Sequence, residues 1–154
     1  MRPDDRNRIL AAKAYTSEET YARRFHQRAH HFSDWDLTYL TEVDGDNHIA
    51  LIATECEDPD RLVAIARCVR NPAEPHDAEL AITVHDPYQR RGIGFGMLSL
   101  LHDAAVAHGI TQLRAFIESD NDAMVALMYK VFPRTRRVTK FGRTCEFLAE
   151  LRSA

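Results

Sequence analysis

The chain lacks the long apolar runs, the strongly basic composition and the paired cysteines that mark several large classes of protein. No apolar stretch in its 154 residues approaches the ~18 residues of a membrane-spanning helix, so we expect no membrane contact. Residues 1–5 lack the apolar core of a secretion signal, and we therefore expect a cytoplasmic protein. A net charge of −3 provides no basic surface for nucleic acid, which leaves small molecules or other proteins as the expected partners.

Cysteine and histidine form no pattern typical of a disulfide framework or a metal site. The three cysteines are Cys56, Cys68 and Cys145. They are odd in number, widely spaced and embedded in apolar segments, so we expect free, buried thiols. Among the eight histidines, His30 and His31 are adjacent, and the pair of His26 and His30 lacks a matching Glu or Cys ligand. We therefore expect no bound metal.

The N-terminal third is predicted to be helical, because its apolar residues recur at helical spacing. The three predicted helices cover Asp4–Tyr15, a segment from the capping box Thr16-Ser17-Glu18-Glu19 to Ala29, and a short segment opened by Ser33 and Asp36. The apolar face of the first helix would include Ile9, Leu10 and Ala14, and the third helix would carry Trp35.

The rest of the chain is predicted to alternate strands with helices. The predicted strands are Ile49–Cys56, Leu62–Val69, Glu79–Val84, Thr111–Ile117, Thr135–Val138 and Thr144–Leu151. The first two would form a hairpin, and a loop over Asn71–Asp77 would lead into the third. Asn121 or Asp120 would cap a helix after the fourth strand. This order predicts a mixed α/β fold in a single domain over residues 1–154.

A predicted strand, a glycine-rich turn and a helix follow one another without a gap in the middle of the chain. Leu80, Ile82 and Val84 alternate with other residues as in a strand, which Asp86-Pro87 would end. The helix after the turn would end at Gly109, a residue suited to a left-handed cap. These three elements form the part of the chain that is most informative about function.

The turn from Gln89 to Gly96, Gln-Arg-Arg-Gly-Ile-Gly-Phe-Gly, has the chemistry of an anion site. Its glycines let a ligand approach the backbone, and the first N–H groups of the following helix have no intrahelical partner. The helix dipole and the side chains of Arg90 and Arg91 add positive potential. The turn does not match a Walker A loop, because no Gly-Lys-Ser/Thr follows its glycines. It does not match the dinucleotide fingerprint G-x-G-x-x-G either, because Met97 stands at the position of the last glycine. A tight glycine turn without a ligand is the alternative.

The spacing Val84-x-x-x-x-Gln89-x-x-Gly92-x-Gly94 resembles the hallmark of the GNAT family of acyl-CoA-dependent N-acetyltransferases. In that family the turn holds the diphosphate of coenzyme A on backbone amides. The resemblance implies acetyl-CoA as co-substrate and a GNAT fold, which is a central, mostly antiparallel mixed sheet with a splayed central strand pair and helices on both faces. It implies cofactor contacts from Ile82, Thr83, Val84, Gln89, Arg90, Arg91, Gly92, Ile93, Gly94, Phe95, Gly96 and Asn121.

Within this family the chain is similar to the bacterial Pat-type protein lysine acetyltransferases. The similar segments are Glu18–Phe25, Leu37–Asp44, Ile49–Ala53, Asn71-Pro72 with Ala78–Leu80, and Asn121-x-x-Met124-x-x-Leu127. Two departures stand out. The first strand of the family is nearly missing, and Phe132-Pro133 replaces the usual Gly-Phe after the last helix. The resemblance implies a protein lysine as acceptor.

Acetyl transfer to a lysine requires a group that removes a proton from the amine. Deprotonating an ammonium with a pKa near 10.4 at pH 7 costs about 4.6 kcal/mol without assistance, and a carboxylate can accept that proton. The Pat resemblance places the family's general base at Glu79. A solvated charge on the strand is the alternative. A backbone N–H near Ile82 to Val84 is expected to bind the thioester oxygen, where negative charge develops.

Two further residues near these elements are open to more than one interpretation. Tyr129 lies one position after the point where the family usually has a general acid, so it is either that acid or a packing aromatic. His85, which follows the central strand, either approaches the cofactor or lies in an exposed turn, and we expect the exposed turn.

The leading hypothesis is an acetyl-CoA-dependent N-acetyltransferase of protein lysines, with a homodimer as one expected assembly. Acetylation of a small-molecule amine and a non-catalytic acyl-CoA sensor are the alternatives.

Overall fold

The computed structural model describes residues 1–25 and 31–151. Its helices are α1 (Arg6–Ala12), α2 (Glu18–Phe25), α3 (Asp34–Thr41), α4 (Ile93–Ala107) and α5 (Asp122–Val131). Its strands are β1 (His48–Thr54), β2 (Leu62–Asn71), β3 (Glu74–Val84), β4 (Gln112–Glu118), β5 (Thr135–Phe141) and β6 (Thr144–Glu150). Short 3₁₀ turns cover Pro3–Asp5, Lys13–Tyr15 and Asp86–Tyr88. The predicted mixed α/β fold is confirmed.

A six-stranded sheet has the order β1-β2-β3-β4-β6-β5. Neighbouring strands run antiparallel except β3 and β4, which are parallel and are connected through α4. A parallel pair needs such a crossover because both strands must run in the same direction. The sheet is therefore mixed and mostly antiparallel, as predicted.

The parallel pair separates part of the way along its length. β3 and β4 pair over Asp77–Glu79 and Gln112–Arg114, although β3 continues to Val84 and β4 continues to Glu118. On their outer sides β3 stays paired with β2, and β4 stays paired with β6. The two strands therefore enclose a gap with unpaired facing edges, which confirms the splayed central pair.

Helices cover both faces of this sheet. α4 packs against β1, β2 and β3 and buries Leu98 and Leu101 completely. On the other face α1 and α3 bury Ile9 and Leu40 against Leu62 of β2. Burial of these aliphatic side chains supplies most of the free energy that holds the layers together, at about 25 cal/mol per Å² of apolar surface.

The predicted helix ends are confirmed by their hydrogen bonds. The Ser33 hydroxyl accepts from the Asp36 N–H at 3.1 Å, and the Asp36 carboxylate accepts from the Ser33 N–H at 2.8 Å. The Asn121 side chain accepts from the Met124 N–H at 3.2 Å at the start of α5. Gly109, with φ of 76°, follows α4 in the left-handed conformation that suits glycine.

The predicted apolar face of the first helix is partly wrong. Ile9 is buried, but Leu10 and Ala14 are exposed. α1 has few turns before the chain tightens into a 3₁₀ turn, and Leu10 lies about 100° around the helix from Ile9. The third helix carries Trp35 as predicted, and this side chain is 72% exposed because α3 turns Leu37 toward the sheet.

Other boundaries and environments also differ from the sequence predictions. Glu74–Asp77, predicted as loop, is the first part of β3, since β2 continues to Asn71 and the two strands form a tight hairpin. Cys56 is exposed rather than buried, whereas Cys68 and Cys145 are buried, and all three thiols are free. The predicted helix residue Ala29 and the pair His26 and His30 lie outside the described residues.

Residues 1–25 and 31–151 contain no helix that is both long and apolar enough to cross a membrane. They contain no group of three or more His, Cys, Asp or Glu arranged to hold a metal ion. Within residues 1–25 and 31–47, every regular element is helical.

Candidate active site

A groove of about 580 Å³ lies at the gap between β3 and β4, and we call it the gap groove. Its walls also include α2 and the starts of α4 and α5. The sequence-predicted site residues that line it are Glu79, Ile82, Thr83, Val84, Gln89, Arg90, Gly92, Gly94, Phe95 and Asn121. Arg91, Ile93 and Gly96, which were also predicted, do not line it. The fold thus brings most of the predicted residues together around one groove.

The glycine turn presents free backbone donors to the gap groove. Arg90 and Gly92 both have left-handed backbones, with φ of 60° and 80°, and this turn aims the start of α4 at the groove. The N–H groups from Gly92 to Phe95 donate no hydrogen bond to any described residue. Unpaired N–H groups at a helix start, next to left-handed residues, form a site that favours phosphate groups.

The last glycines of the turn differ in what they contact. A Cβ on Gly94 would lie 3.0 Å from Leu127 Cδ2, so this glycine lets α4 pack closely on α5. A Cβ on Gly96 would meet nothing within 4 Å, and the Gly96 N–H already donates to the Gly92 carbonyl at 3.1 Å. The Gly96 amide is therefore occupied within α4, which the sequence did not indicate.

Gln89 braces the turn against the end of β3. Its Nε2 donates to the Val84 carbonyl at 3.0 Å and to the Thr20 hydroxyl at 3.2 Å. These bonds explain the spacing between Val84 and Gln89, because the side chain reaches back over the 3₁₀ turn. They also tie α2 to the turn, a contact that the sequence pattern did not reveal.

The open edge of β3 points backbone groups into the gap. The His85 N–H donates to the carbonyl of Val63 in β2 at 3.0 Å, so the backbone groups of His85 face β2. Because backbone groups alternate along a strand, those of Ile82 and Val84 face the opposite side, toward the gap. Gln89 binds the Val84 carbonyl, which leaves both backbone groups of Ile82 open to a ligand.

Positive side chains surround the glycine turn. Arg90 and Lys130 line the gap groove, and the Lys130 ammonium lies 5.1 Å from the centre of the Phe95 ring. Arg91 instead packs over the Tyr88 ring at 5.8 Å. Lys130 was missed by the sequence interpretation, since its position near the turn depends on how α5 packs beside α4.

A second groove, of about 600 Å³, lies on the α2–α3 side of the sheet, and we call it the arginine groove. It is lined by Arg24, Phe25, Trp35, Asp36, Tyr39, Leu40, Arg67, Val69, Arg70, Asn71, Pro72, Asp77, Glu79, Ala81, Arg114 and Phe116. Glu79 is exposed and lines both grooves, at the last paired residue before the strands separate. A carboxylate at this junction is within reach of ligands in either groove.

His85 is buried at 4% exposure, so the prediction of an exposed turn is wrong. The N-terminal segment folds over it. The Thr16 hydroxyl donates to the Ala12 carbonyl at 2.6 Å, so it accepts the proton of His85 Nδ1, which lies 2.6 Å away. Burial lowers the pKa of His85 to about 4, and its Nε2 has no hydrogen-bond partner among the described residues. The ring is therefore neutral at pH 7.

This buried ring predicts a specific loss of stability in acid. The pKa of His85 falls from 6.5 to about 4 on folding, so the unfolded chain binds the additional proton as the pH drops below 6.5. Between pH 7 and pH 5 the free energy of unfolding should fall by about 2 kcal/mol through this residue. Urea unfolding of wild type and His85→Asn at both pH values measures the difference. The exposed-site control His76→Asn should keep the wild-type pH dependence, and an unchanged dependence in His85→Asn would contradict the assignment.

Tyr129 lies apart from both grooves. Its side chain is 45% exposed, and its ring packs edge-to-face against Phe147 with the ring centres 6.3 Å apart. It is not among the residues that line the gap groove. A role as general acid stays a prediction, and the packing partner is Phe147.

The open strand edge beside free helix-start amides is suited to receive the thioester of an acyl-coenzyme A. The architecture is that of an acyl-CoA-dependent acetyltransferase, and the comparisons with known proteins identify the family. The sequence model of the acetyltransferase (GNAT) family matches residues 10–132, and the chain belongs to this family. This family is one of acetyltransferases.

Individual relatives agree with this family assignment. Acetyltransferase Pat of Mycolicibacterium smegmatis is 37% identical over 127 residues, which are 82% of this chain and 37% of that protein. The chain thus spans little more than a third of that relative. The GNAT domain of S. lividans PAT shares the fold, with a TM-score of 0.88 and 22% identity over 98% of this chain and 88% of that one.

A structure with bound acetyl-CoA shares the same fold. A phosphinothricin acetyltransferase of the GNAT superfamily from Sinorhizobium meliloti, in complex with acetyl-CoA, has a TM-score of 0.75 and 15% identity. The match covers 98% of this chain and 85% of that one.

Proposed function

We propose that the protein acetylates the ε-amino group of protein lysines, with Glu79 as general base. The observation that carries this proposal is the position of Glu79, whose exposed carboxylate lines both grooves where the strands separate. The acetyl group arrives from the gap groove and the amine arrives from the arginine groove. Both substrates must be bound together for the amine to attack the thioester directly.

The gap groove supplies contacts along the length of the co-substrate. The N–H groups of Gly92 to Phe95, with Arg90 and Lys130 beside them, fit the diphosphate of coenzyme A. The open Val84 N–H and Ile82 carbonyl fit the amide groups of the pantetheine arm. The N–H group of Ile82 stabilises the thioester oxygen as negative charge develops on it, an effect typically worth about 2.7–4 kcal/mol.

Glu79 then accepts a proton from the acceptor ammonium. The carboxylate, directly or through one water molecule, takes the proton from the ammonium and frees the nitrogen lone pair. The nitrogen forms the new bond to the acetyl carbon as the bond to sulfur breaks. The leaving thiolate takes the second proton that the nitrogen loses as the amide forms, and coenzyme A dissociates as the free thiol.

Several features of the arginine groove favour an alkylamine such as lysine. The aromatic side chains of Phe25, Trp35, Tyr39 and Phe116 line it, and the Trp35 and Tyr39 rings stack with centres 5.6 Å apart. Exposed aromatic walls of this kind suit an aliphatic stem that carries a charged end. The resemblance of the sequence to the Pat-type protein lysine acetyltransferases supports a protein acceptor.

Transfer of a labelled acetyl group tests this proposal against its two alternatives. We expect ¹⁴C-acetyl-CoA to label lysine residues in added proteins and peptides, as located by mass spectrometry of the products. Labelling of small amines alone would replace the protein acceptor with a metabolite. Acetyl-CoA binding without transfer to any acceptor would instead support an acyl-CoA sensor.

A further inference from the structure

The four arginines that line the arginine groove differ in how far protein groups neutralise their charges. Arg114 donates from Nε to the Asp77 carboxylate at 3.1 Å and from Nη1 to the Glu146 carboxylate. Arg70 donates from Nη2 to the His108 carbonyl at 2.9 Å and forms an ion pair with Asp46 at 3.3 Å. Both charges therefore have protein partners.

Arg67 is buried without a carboxylate partner in the described ranges. It is 3% exposed, and its side-chain hydrogen bonds to described residues use Nη1, which contacts the Leu40 carbonyl at 3.2 Å and His48 Nε2 at 3.0 Å. Burial, followed by the charge of Arg24, lowers the pKa of Arg67 to about 10, and burial lowers that of His48 to about 4. Arg67 is charged at pH 7 and its histidine neighbour is neutral, so its charge is not compensated there.

Arg24 adds a second uncompensated charge beside Arg67. Its guanidinium lies over the Phe25 ring at 4.7 Å and makes no hydrogen bond or ion pair with any residue in the described part of the chain. Burial lowers the pKa of Arg24, and the negative charge of Glu79 opposes that shift. Two neighbouring guanidiniums with no carboxylate in direct contact raise the free energy of a partly buried site, unless a ligand supplies further negative charge.

The carboxylates of the groove are engaged elsewhere or needed for the reaction. Asp36 accepts from the Ser33 N–H at 2.8 Å and from the Ser33 hydroxyl at 2.7 Å, as the cap of α3. Asp77 is bound by Arg114 and by Gln112, whose Nε2 lies 3.1 Å from Oδ1. Glu79 makes no ion pair within 4.0 Å with a described residue.

The register of the sheet places Arg67 close to the reacting amine. Val69 of β2 pairs with Glu79 of β3, and Arg67 pairs with Ala81, so Arg67 and Glu79 lie on the same face. Diagonal neighbours of this kind are roughly 7–8 Å apart. An anion held by Arg67 would therefore lie a short distance from the nitrogen that Glu79 deprotonates.

We propose that Arg24 and Arg67 bind a carboxylate of the acceptor, so that the preferred substrate is an amine with a carboxylate near the reacting nitrogen. This inference rests on the proposed acetyltransferase function with Glu79 as base. Guanidinium forks match carboxylates in two-point geometry, which gives the subsite its selectivity. The carboxylate comes either from an acidic residue beside the acceptor lysine or from a free amino acid.

Matched acceptors that differ only in this carboxylate test the subsite. One pair consists of peptides with a lysine followed by Glu or by Gln, and the other consists of L-lysine and L-lysine amide. In wild type we expect kcat/KM to be about tenfold or more higher for the acceptor with the carboxylate than for its neutral partner. The preference should appear in the peptide pair if the carboxylate comes from a neighbouring residue, and in the lysine pair if it comes from a free amino acid. Arg24→Gln and Arg67→Gln should remove this preference mainly through KM and should act on the neutral acceptor nearly as well as wild type.

Controls separate this role from electrostatic support of Glu79. Arg70→Gln, which removes a neutralised charge from the same groove, should retain the wild-type preference. Arg24 is only partly buried on α2, so its variant remains informative if Arg67→Gln fails to fold. Equal preference in wild type and both variants, or equal loss on both acceptors, would overturn the subsite. A wild-type protein that acetylates no acceptor would instead refute the proposed function.

Discussion

Glu79→Gln is expected to lower kcat at pH 7 by about 10²–10⁴-fold. The amide keeps nearly the same shape at the junction of the two grooves but cannot accept the proton of the acceptor. The residual rate should rise with pH, because hydroxide increasingly supplies the deprotonated amine. Steady-state kinetics with a lysine acceptor, measured at pH 7 and at higher pH, give the loss in kcat and its dependence on pH.

Two measurements show whether the loss belongs to the chemical step. Acetyl-CoA should bind Glu79→Gln about as tightly as wild type in calorimetry, because its proposed contacts lie on the turn and the open edge of β3. Glu74→Gln removes an exposed carboxylate from the same strand outside both grooves and should keep full activity. Wild-type turnover in Glu79→Gln would remove this residue from the mechanism.

Gly92→Val is expected to weaken acetyl-CoA binding by about tenfold or more. Gly92 has φ of 80°, a conformation that a β-branched residue adopts only with strain of about 1–2 kcal/mol. The turn would relax toward ordinary dihedral angles, which would move the free N–H groups away from the diphosphate. Calorimetric titration with acetyl-CoA measures the change in Kd.

A second glycine in the chain provides the matched control. Gly142, with φ of 57°, lies in the hairpin between β5 and β6 and does not line the gap groove. Gly142→Val should cost a similar free energy of unfolding and leave the Kd of acetyl-CoA unchanged. Equal weakening by both variants would show that strain alone, rather than the geometry of the turn, affects binding.

The sequence predicted those parts of the site that depend on local structure. The alternation of Leu80, Ile82 and Val84 and the glycine spacing after Gln89 each lie within one segment, so period and turn chemistry were enough to assign them. The cap at Asn121 follows the same logic, because its hydrogen bond spans three residues.

The remaining features depend on contacts between distant segments. Arg24 on α2 and Arg67 on β2 meet in one groove only after the sheet has formed, and neither belongs to a recognisable motif. His85 looked like an exposed turn residue because its burial is produced by the segment around Thr16, far away in the chain. The cytoplasmic location and a homodimer stay predictions.

The most direct test of the account follows the backbone amides of the glycine turn by ¹H–¹⁵N NMR during a titration with coenzyme A. The amide resonances of Gly92 to Phe95 should shift on binding, whereas S-acetylpantetheine, which lacks the diphosphate, should shift them much less. The resonances of Ile82 and Val84 should respond to both ligands. Saturation with coenzyme A that leaves the amides of Gly92 to Phe95 unchanged would contradict the account.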